Sequence, residues 1–259
     1  MRDCGQRPQY KRADMMKYAL YSDPGDRVIN EDAIGHRTAV NGECFAVCDG
    51  LGGHSKGEVA SRLAARTAVE QFRQLASVKA GTKTILETIF LESQKAVLRY
   101  QKENRDAADM KTTMVVLVRC GEELQWGHVG DSRLYRFAAG RLEERTADHS
   151  VPQVLVSCGE LKEEQIRFHP DRNRLLRAVG TVWNSPRYEL GRPVPARKGE
   201  AFLLCTDGFW EWVTERQMEQ TLSEAGSPEE WLSAMLKLIP EKHSGSNLDN
   251  YSAAAVFVS

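Results

Sequence analysis

Carboxylates stand at the ends of apolar runs in this sequence, in a pattern that points to cation chemistry. The run Cys44-Phe45-Ala46-Val47-Cys48 stops at Asp49-Gly50, and Ala201-Phe202-Leu203-Leu204-Cys205-Thr206 stops at Asp207-Gly208. Each places a carboxylate at the tip of a buried strand. Either pair alone reads as a plain turn, because Asp and Gly both suit turn geometry; the repetition weakens that reading. Other carboxylates occupy similar junctions: Glu31-Asp32 before a β-rich run, Asp131 within Gly130-Asp131-Ser132-Arg133, and Asp249-Asn250 before another run. If these ends converge, their like charges repel strongly unless a cation neutralises them. Oxygen-only ligands are hard, which suits Mg²⁺ or Mn²⁺ rather than zinc or copper. Arg27 lies four residues before Glu31 and can present a planar fork to a phosphate held against such ions, although alone it reads as half of a surface ion pair. The turn Asp49-Gly50-Leu51-Gly52-Gly53 lets the backbone approach an ion or phosphate closely, because no Cβ intervenes.

The elements that must position these groups are mostly strands. Short β-rich runs occur at 16–21, 33–40, 44–48, 112–119, 123–129, 132–137, 201–206 and 253–258. Two long segments interrupt them: 58–77, with Ala60, Ala64, Ala68 and Phe72 on one stripe, and 84–101, with Ile85, Ile89, Val97 and Tyr100 on one side. Both spacings are helical. Further helices are expected at 214–223 and at 228–239, the latter with Ser227 as N-cap and Pro228 in the first turn. Strand clusters separated by helix pairs predict an α+β fold with antiparallel sheets covered by helices. Residues 1–15 are polar and read as a flexible tail, and 16–259 as a single domain.

Composition narrows the function. Of 259 residues, 41% are hydrophobic and 27% charged, as in ordinary globular proteins. Lys plus Arg number 35 and Asp plus Glu 36, so the net charge is 35 − 36 = −1, and no whole-chain basic field points to nucleic acid. No apolar run approaches the roughly 18 residues that cross a bilayer, and the start lacks a secretory apolar segment; the expectation is a soluble cytoplasmic protein with no membrane partner. The six cysteines include no C-x-x-C pair and read as reduced thiols in or near the core, with spacing wrong for structural zinc.

In chain order, Arg27-x-x-Asn30-Glu31-Asp32, Asp49-Gly50-Leu51-Gly52-Gly53-His54, Gly130-Asp131-Ser132-Arg133, Asp148-His149, Thr206-Asp207-Gly208 and Asp249-Asn250 resemble the metal-dependent protein phosphatases, the type 2C or PPM serine/threonine family. The resemblance runs from about Met16 to Ser259 and is to the compact bacterial branch. It implies two antiparallel sheets in a sandwich flanked by pairs of helices, with two Mn²⁺ or Mg²⁺ ions at one end. It further implies that Asp49 bridges the metals, that Glu31 and the Gly50 carbonyl help hold one, and that Asp207 and Asp249 hold the other. Asp32 would orient metal-bound water, and Asp131 with Asp207 would hold a third, weaker ion. A water between the metals would attack phosphorus directly while Arg27 anchors the phosphoryl oxygens.

One position departs from part of the family: eukaryotic members often carry a general-acid His where this chain has Leu51, which leaves His54 or a water as proton donor. The segment 150–180 resembles the family's substrate-facing flap. Arg133 and Arg177 read as structural ion pairs, and His36, His128 and His149 as packing or hydrogen-bonding residues. The function implied is hydrolysis of phosphoserine and phosphothreonine in proteins, opposing a cognate kinase, by a monomer. The stretches Asp207–Val213 and Asp249–Ala253 resemble members that accompany type VI secretion, although Trp210 and Trp212 also read as packing under the metal site. The alternative is a catalytically silent phosphoprotein-binding module on the same fold, which loss of ligands would mark.

Overall fold

In the run Gly42–Leu51, Cys44, Ala46 and Cys48 face one way and Phe45 and Val47 the other, and all five are fully buried. A strand buried on both faces needs a layer on each side, and the rest of the chain supplies them. The computed structural model describes residues 15–52, 56–242, 245 and 247–259. Its elements in order are β1 (Lys17–Asp23), β2 (Asp32–Ala39), β3 (Gly42–Leu51), α1 (Gly57–Ser77), α2 (Thr82–Glu103), β4 (Lys111–Thr112), β5 (Met114–Cys120), β6 (Glu123–Val129), β7 (Arg133–Ala138) and β8 (Arg141–Arg145). There follow α3 (Val151–Ser157), β9 (Glu189–Leu190), β10 (Val194–Pro195), β11 (Ala201–Cys205), α4 (Asp207–Trp210), α5 (Glu215–Glu224), α6 (Pro228–Leu236) and β12 (Tyr251–Phe257).

The strands form two sheets, ordered β1-β12-β11-β7-β8 and β10-β6-β5-β3-β2, with β4 beside β3 and β9 beside β6. The ladders are antiparallel. Phe45, Val47, Val115 and Leu117 of the larger sheet meet Leu134, Phe202, Leu204 and Val256 of the smaller in a core between them. On the outer face of the larger sheet, Ala60, Ala64, Ala68 and Phe72 of α1 and Ile85, Ile89 and Val97 of α2 are fully buried, as their spacing requires. Phe209, Trp210, Met218 and Trp231 of α4 to α6 cover the outer face of the smaller sheet. This is the expected α+β sandwich of two antiparallel sheets flanked by helices.

Departures from the expected elements have local causes. β8 reads Arg-Leu-Glu-Glu-Arg on the sheet edge, with too little apolar alternation to signal a strand, and β4, β9 and β10 are two residues each. α5 begins as expected because the Thr214 hydroxyl accepts from Gln217 N while Gln217 Oε1 accepts from Thr214 N. α6 starts at Pro228 under the Ser227 cap but stops at Leu236, short of the expected end. Cys44, Cys48 and Cys205 are buried free thiols whose burial pushes them well above the usual range; half-buried Cys120 is pushed up to about 11, and Cys158 is exposed. Residues 1–14 of the expected tail, with Cys4, lie outside the described residues. Among the described residues no helix is long and apolar enough to cross a membrane.

Phe45 sits at the centre of the inter-sheet core, so Phe45→Ala is expected to lower unfolding free energy by about 3–5 kcal/mol. A urea titration should move the midpoint without changing the slope.

Candidate metal and phosphate site

The site forms because both sheets end at the same place. Asp49 lies near the end of β3 in the larger sheet, and Asp32, which opens β2, is its register partner. Asp207 follows β11 in the smaller sheet, Asp249 precedes β12, and Asp131 lies in the turn that carries the chain from β6 to β7, from one sheet to the other. Asp49, Asp131, Asp207, Asp249, Glu31 and the Gly50 backbone line one open cleft of about 460 Å³, with Arg27, Val28 and Leu51 also on its wall. Asp32 stands behind them, buried. All the residues expected from sequence to act together are thus gathered at one end of the sandwich. His54 lies outside the described residues.

Hydrogen bonds tether the chain around several of these carboxylates. Asp49 N donates to Thr113 Oγ1 at 3.0 Å and Asp49 O accepts from Thr113 N and Thr112 Oγ1, so the end of β3 is held from both sides. Thr206 Oγ1 donates to Asp32 Oδ2 at 2.9 Å and accepts from Ser252 N, which stitches the two sheets together behind the cleft. Asn250 ties down the loop carrying Arg27 and Glu31: its Nδ2 donates to the carbonyls of Pro24 and Ile29, and its Oδ1 accepts from Glu31 N. Trp210 Nε1 donates to the Asp131 carbonyl at 3.0 Å. The Trp210 ring lies under the Arg133 guanidinium, 3.5 Å from its centroid, and Arg133 is held in turn by a buried two-pronged pair with Asp148 at 2.8 and 2.6 Å. Arg177 pairs with Glu189 at 2.7 Å, so both arginines form ion pairs as expected.

Glycine is required where backbones touch. A Cβ on Gly50 would fall 2.3 Å from Gly57 O and 2.7 Å from Glu31 O, and one on Gly208 would fall 2.1 Å from Asn250 O. These contacts bring the start of α1 against Asp49-Gly50, where β3 runs on to Leu51 beside β4 instead of turning as the sequence suggested, and the start of α4 against the strand leaving Asp249.

The electrostatics of the cleft call for a cation. Burial, then repulsion from Asp207 and the other acids, raises Asp49 well above the usual carboxylate range; burial and Asp207 likewise raise Asp131. Burial pushes Asp32 up to about 7, and burial with Asp249 pushes Asp207 up to about 6. Burial and the nearness of these acids to one another make their charged forms costly without a cation. Asp32 Oδ1 is a buried oxygen with no protein partner. Hard oxygen donors, buried like charges and an orphaned carboxylate oxygen fit Mg²⁺ or Mn²⁺. Arg27 Nη2 contacts Asp249 Oδ2 at 3.0 Å, both exposed at the rim, so the expected phosphate anchor rests on an expected metal ligand.

The sequence motifs included Asn250 and Thr206 without disclosing what they hold, Trp210 was read as packing under the site without its bond to Asp131, and Thr113 carried no signal beyond lying in a β-rich run. Leu175 and Asn173, from the expected flap, line the cleft.

Comparison with known proteins agrees with this geometry. A family model described as protein phosphatase 2C matches residues 25–238. The serine/threonine phosphatase stp of Listeria monocytogenes is 32% identical over 179 residues, 68% of this chain and 70% of that protein. The solved catalytic domain of serine threonine protein phosphatase PstP in complex with 2 manganese ions superposes with TM-score 0.75 at 26% identity, covering 93% of this chain and 97% of that one. PppA, described as a key regulatory component of T6SS in Pseudomonas aeruginosa, gives TM-score 0.76 at 28% identity, with coverage of 95% and 99%.

Two outcomes are expected. Asn250→Ala leaves two carbonyls and one N–H unpaired, and thermal melting should show a loss of about 2–4 kcal/mol. In chelator, the raised Asp32 and Asp207 carboxyls keep protons in the native state that the unfolded chain has lost above about pH 4. The native state therefore binds more protons across about pH 4 to 7, and stability falls as pH rises through that window. Melting curves between pH 5 and 8 should show the fall, shallower in Asp207→Asn, and Mn²⁺ should raise Tm more at pH 8 than at pH 5.

Proposed function

This chain belongs to the protein phosphatase 2C family and is a protein-serine/threonine phosphatase, and we propose that it works through two Mn²⁺ or Mg²⁺ ions held by the carboxylates of the cleft. The observation that carries this reading is the convergence of Asp49, Asp207, Asp249, Asp131 and Glu31 from both sheets beside Arg27. Asp49 would lie between the two ions, Glu31 and the Gly50 carbonyl would complete one side, and Asp207 and Asp249 the other. Asp131 with Asp207 would hold a third, weaker ion. When bound, the metals supply Lewis acidity and a water of lowered pKa as nucleophile.

The chain's own residues do the rest. Arg27 would give up its contact with Asp249 and turn its guanidinium to two phosphoryl oxygens, holding the phosphorus in line and meeting the charge that grows on those oxygens. Exposure of the pair at the rim keeps that exchange inexpensive. Asp32, anchored by Thr206, keeps Oδ1 free to accept a hydrogen bond from water and so orient it. Leu51 on the cleft wall has no proton to give, which leaves water or His54 as donor to the leaving alkoxide, and of the two we favour water.

The substrates are phosphoserine and phosphothreonine in proteins, in opposition to a Ser/Thr kinase. Likeness to PppA and the Asp207–Val213 stretch favour a role in type VI secretion control. The test is hydrolysis of p-nitrophenyl phosphate and a phosphothreonine peptide with Mn²⁺, Mg²⁺ or chelator. Turnover is expected with metal only, with Asp207→Asn and Arg27→Ala each lowering kcat/KM by about 10²-fold or more. His54→Ala should keep more than about a tenth of kcat; a loss near 10²-fold would make His54 the acid. Absence of turnover from folded protein with either metal would point instead to a phosphoprotein-binding module.

A further inference from the structure

Beyond the acidic cleft, His128, His149 and Glu189 bring their ligand atoms within 4.8 Å of one another, the spacing of a metal site. The protons argue otherwise. Gly130 N donates to His149 Nδ1 at 3.1 Å, so Nδ1 carries the lone pair and the proton of the neutral ring sits on Nε2, which lies 3.1 Å from Glu189 Oε1 without the alignment of a hydrogen bond. A metal at Nε2 would move that proton to Nδ1, against the Gly130 N–H. Glu189 also has its cation already, in Arg177.

The arrangement instead grips Gly130. His149 N donates to Gly130 O at 2.9 Å while its ring takes the Gly130 N–H, so one residue holds both main-chain groups of the glycine before Asp131. Gly130 has φ +102, and a Cβ there would lie 2.7 Å from the Thr113 side chain, so this turn is one that only glycine makes comfortably. The His149 ring is kept from turning by His128, stacked on it at 4.6 Å and 5°, and His128 Nε2 is fixed to Ala147 O at 2.7 Å. On its other side, His149 O accepts from Leu176 N at 2.8 Å, next to Leu175 on the cleft wall.

We propose that His149 is a positioning residue: by clamping Gly130 it sets where the Asp131 carboxylate stands in the cleft, and it links that place to the cleft-lining segment at Leu175. The consequence for turnover rests on the metal-phosphatase reading given above; the hydrogen bond itself does not.

Nitrogen NMR of the wild-type imidazoles, in chelator, tests the clamp directly. An unprotonated His149 Nδ1 coupled across the hydrogen bond to the Gly130 amide is expected, and a proton on Nδ1 would overturn it. Two variants test the consequence. His149→Phe keeps a ring on His128 but has no acceptor, whereas His149→Asn restores an acceptor oxygen near the place of Nδ1. Calorimetric titration with Mn²⁺ should show at least one ion bound about tenfold more weakly by His149→Phe, with kcat for p-nitrophenyl phosphate down by a similar factor and KM nearly unchanged. His149→Asn should stay within about threefold of wild type on both measures. Wild-type behaviour of a folded His149→Phe, or an equal loss in His149→Asn, would refute the proposal. If His149→Phe does not fold, the NMR result and His149→Asn decide. Wild-type protein that binds Mn²⁺ without turnover would refute the phosphatase reading while leaving the NMR and calorimetric tests of the clamp intact.

Discussion

Repulsion among the buried carboxylates is the interaction on which the rest of this structure depends. Two unit charges 4 Å apart interact by about 4 kcal/mol at an effective dielectric constant of 20, and here several acids share one cleft. The protein does little to neutralise them from within. Arg133, a buried cation that acts on Asp131, is already paired with Asp148, and Arg27 stays at the exposed rim. What the fold does is prevent the acids from moving apart. Tethers at Thr113, Thr206 and Asn250 hold the backbone, so that the charge is relieved by a proton or a cation rather than by relaxation. The carboxyl groups, raised first by burial and then by this repulsion, and the proposed cation affinity both follow from holding the acids in place.

Rigidity of this kind has an origin in the sandwich. The charges come from different sheets, and the sheets are locked by interdigitated Phe45, Leu117, Phe202 and Leu204. The crossing point at Gly130–Ser132 passes between sheets within the acidic site itself, and Thr113 and Ser132 hydroxyls meet there at 2.6 Å. Core packing and site geometry are therefore coupled: a shift of one sheet against the other changes the distance between Asp49 and Asp207.

Much of this was legible in the residues. The helical stripes of α1 and α2, the apolar runs of β3 and β11 and their terminal Asp-Gly pairs foretold the layers and the place of the acids, because periodicity and abrupt stops are local properties. The motif order carried the family. The supports were harder to see. Asn250 bonds to partners more than two hundred residues away, and Trp210 to the Asp131 carbonyl 79 residues away; such pairings follow from sheet order, which no local pattern encodes. β8 escaped notice for the opposite reason: a charged edge strand is defined by its neighbour's free hydrogen bonds rather than by its own side chains.

The position of β12 has a consequence for assembly. It lies between β1 and β11, pairing Lys17 with Phe257 and Asp23 with Tyr251 in a ladder that closes a loop of more than two hundred residues. Contacts so distant in sequence slow folding, since loop entropy must be spent before they form. During synthesis, β3 and α1 can pack long before Asp249 and Asn250 emerge. Until then the loop bearing Arg27 and Glu31 lacks its anchor, and the acids of the larger sheet face no opposing set. A ribosome-bound chain ending before β12 would accordingly lack the gathered acids however well its first half had folded, and the proposed metal site would arise in one late step with the closing of the smaller sheet.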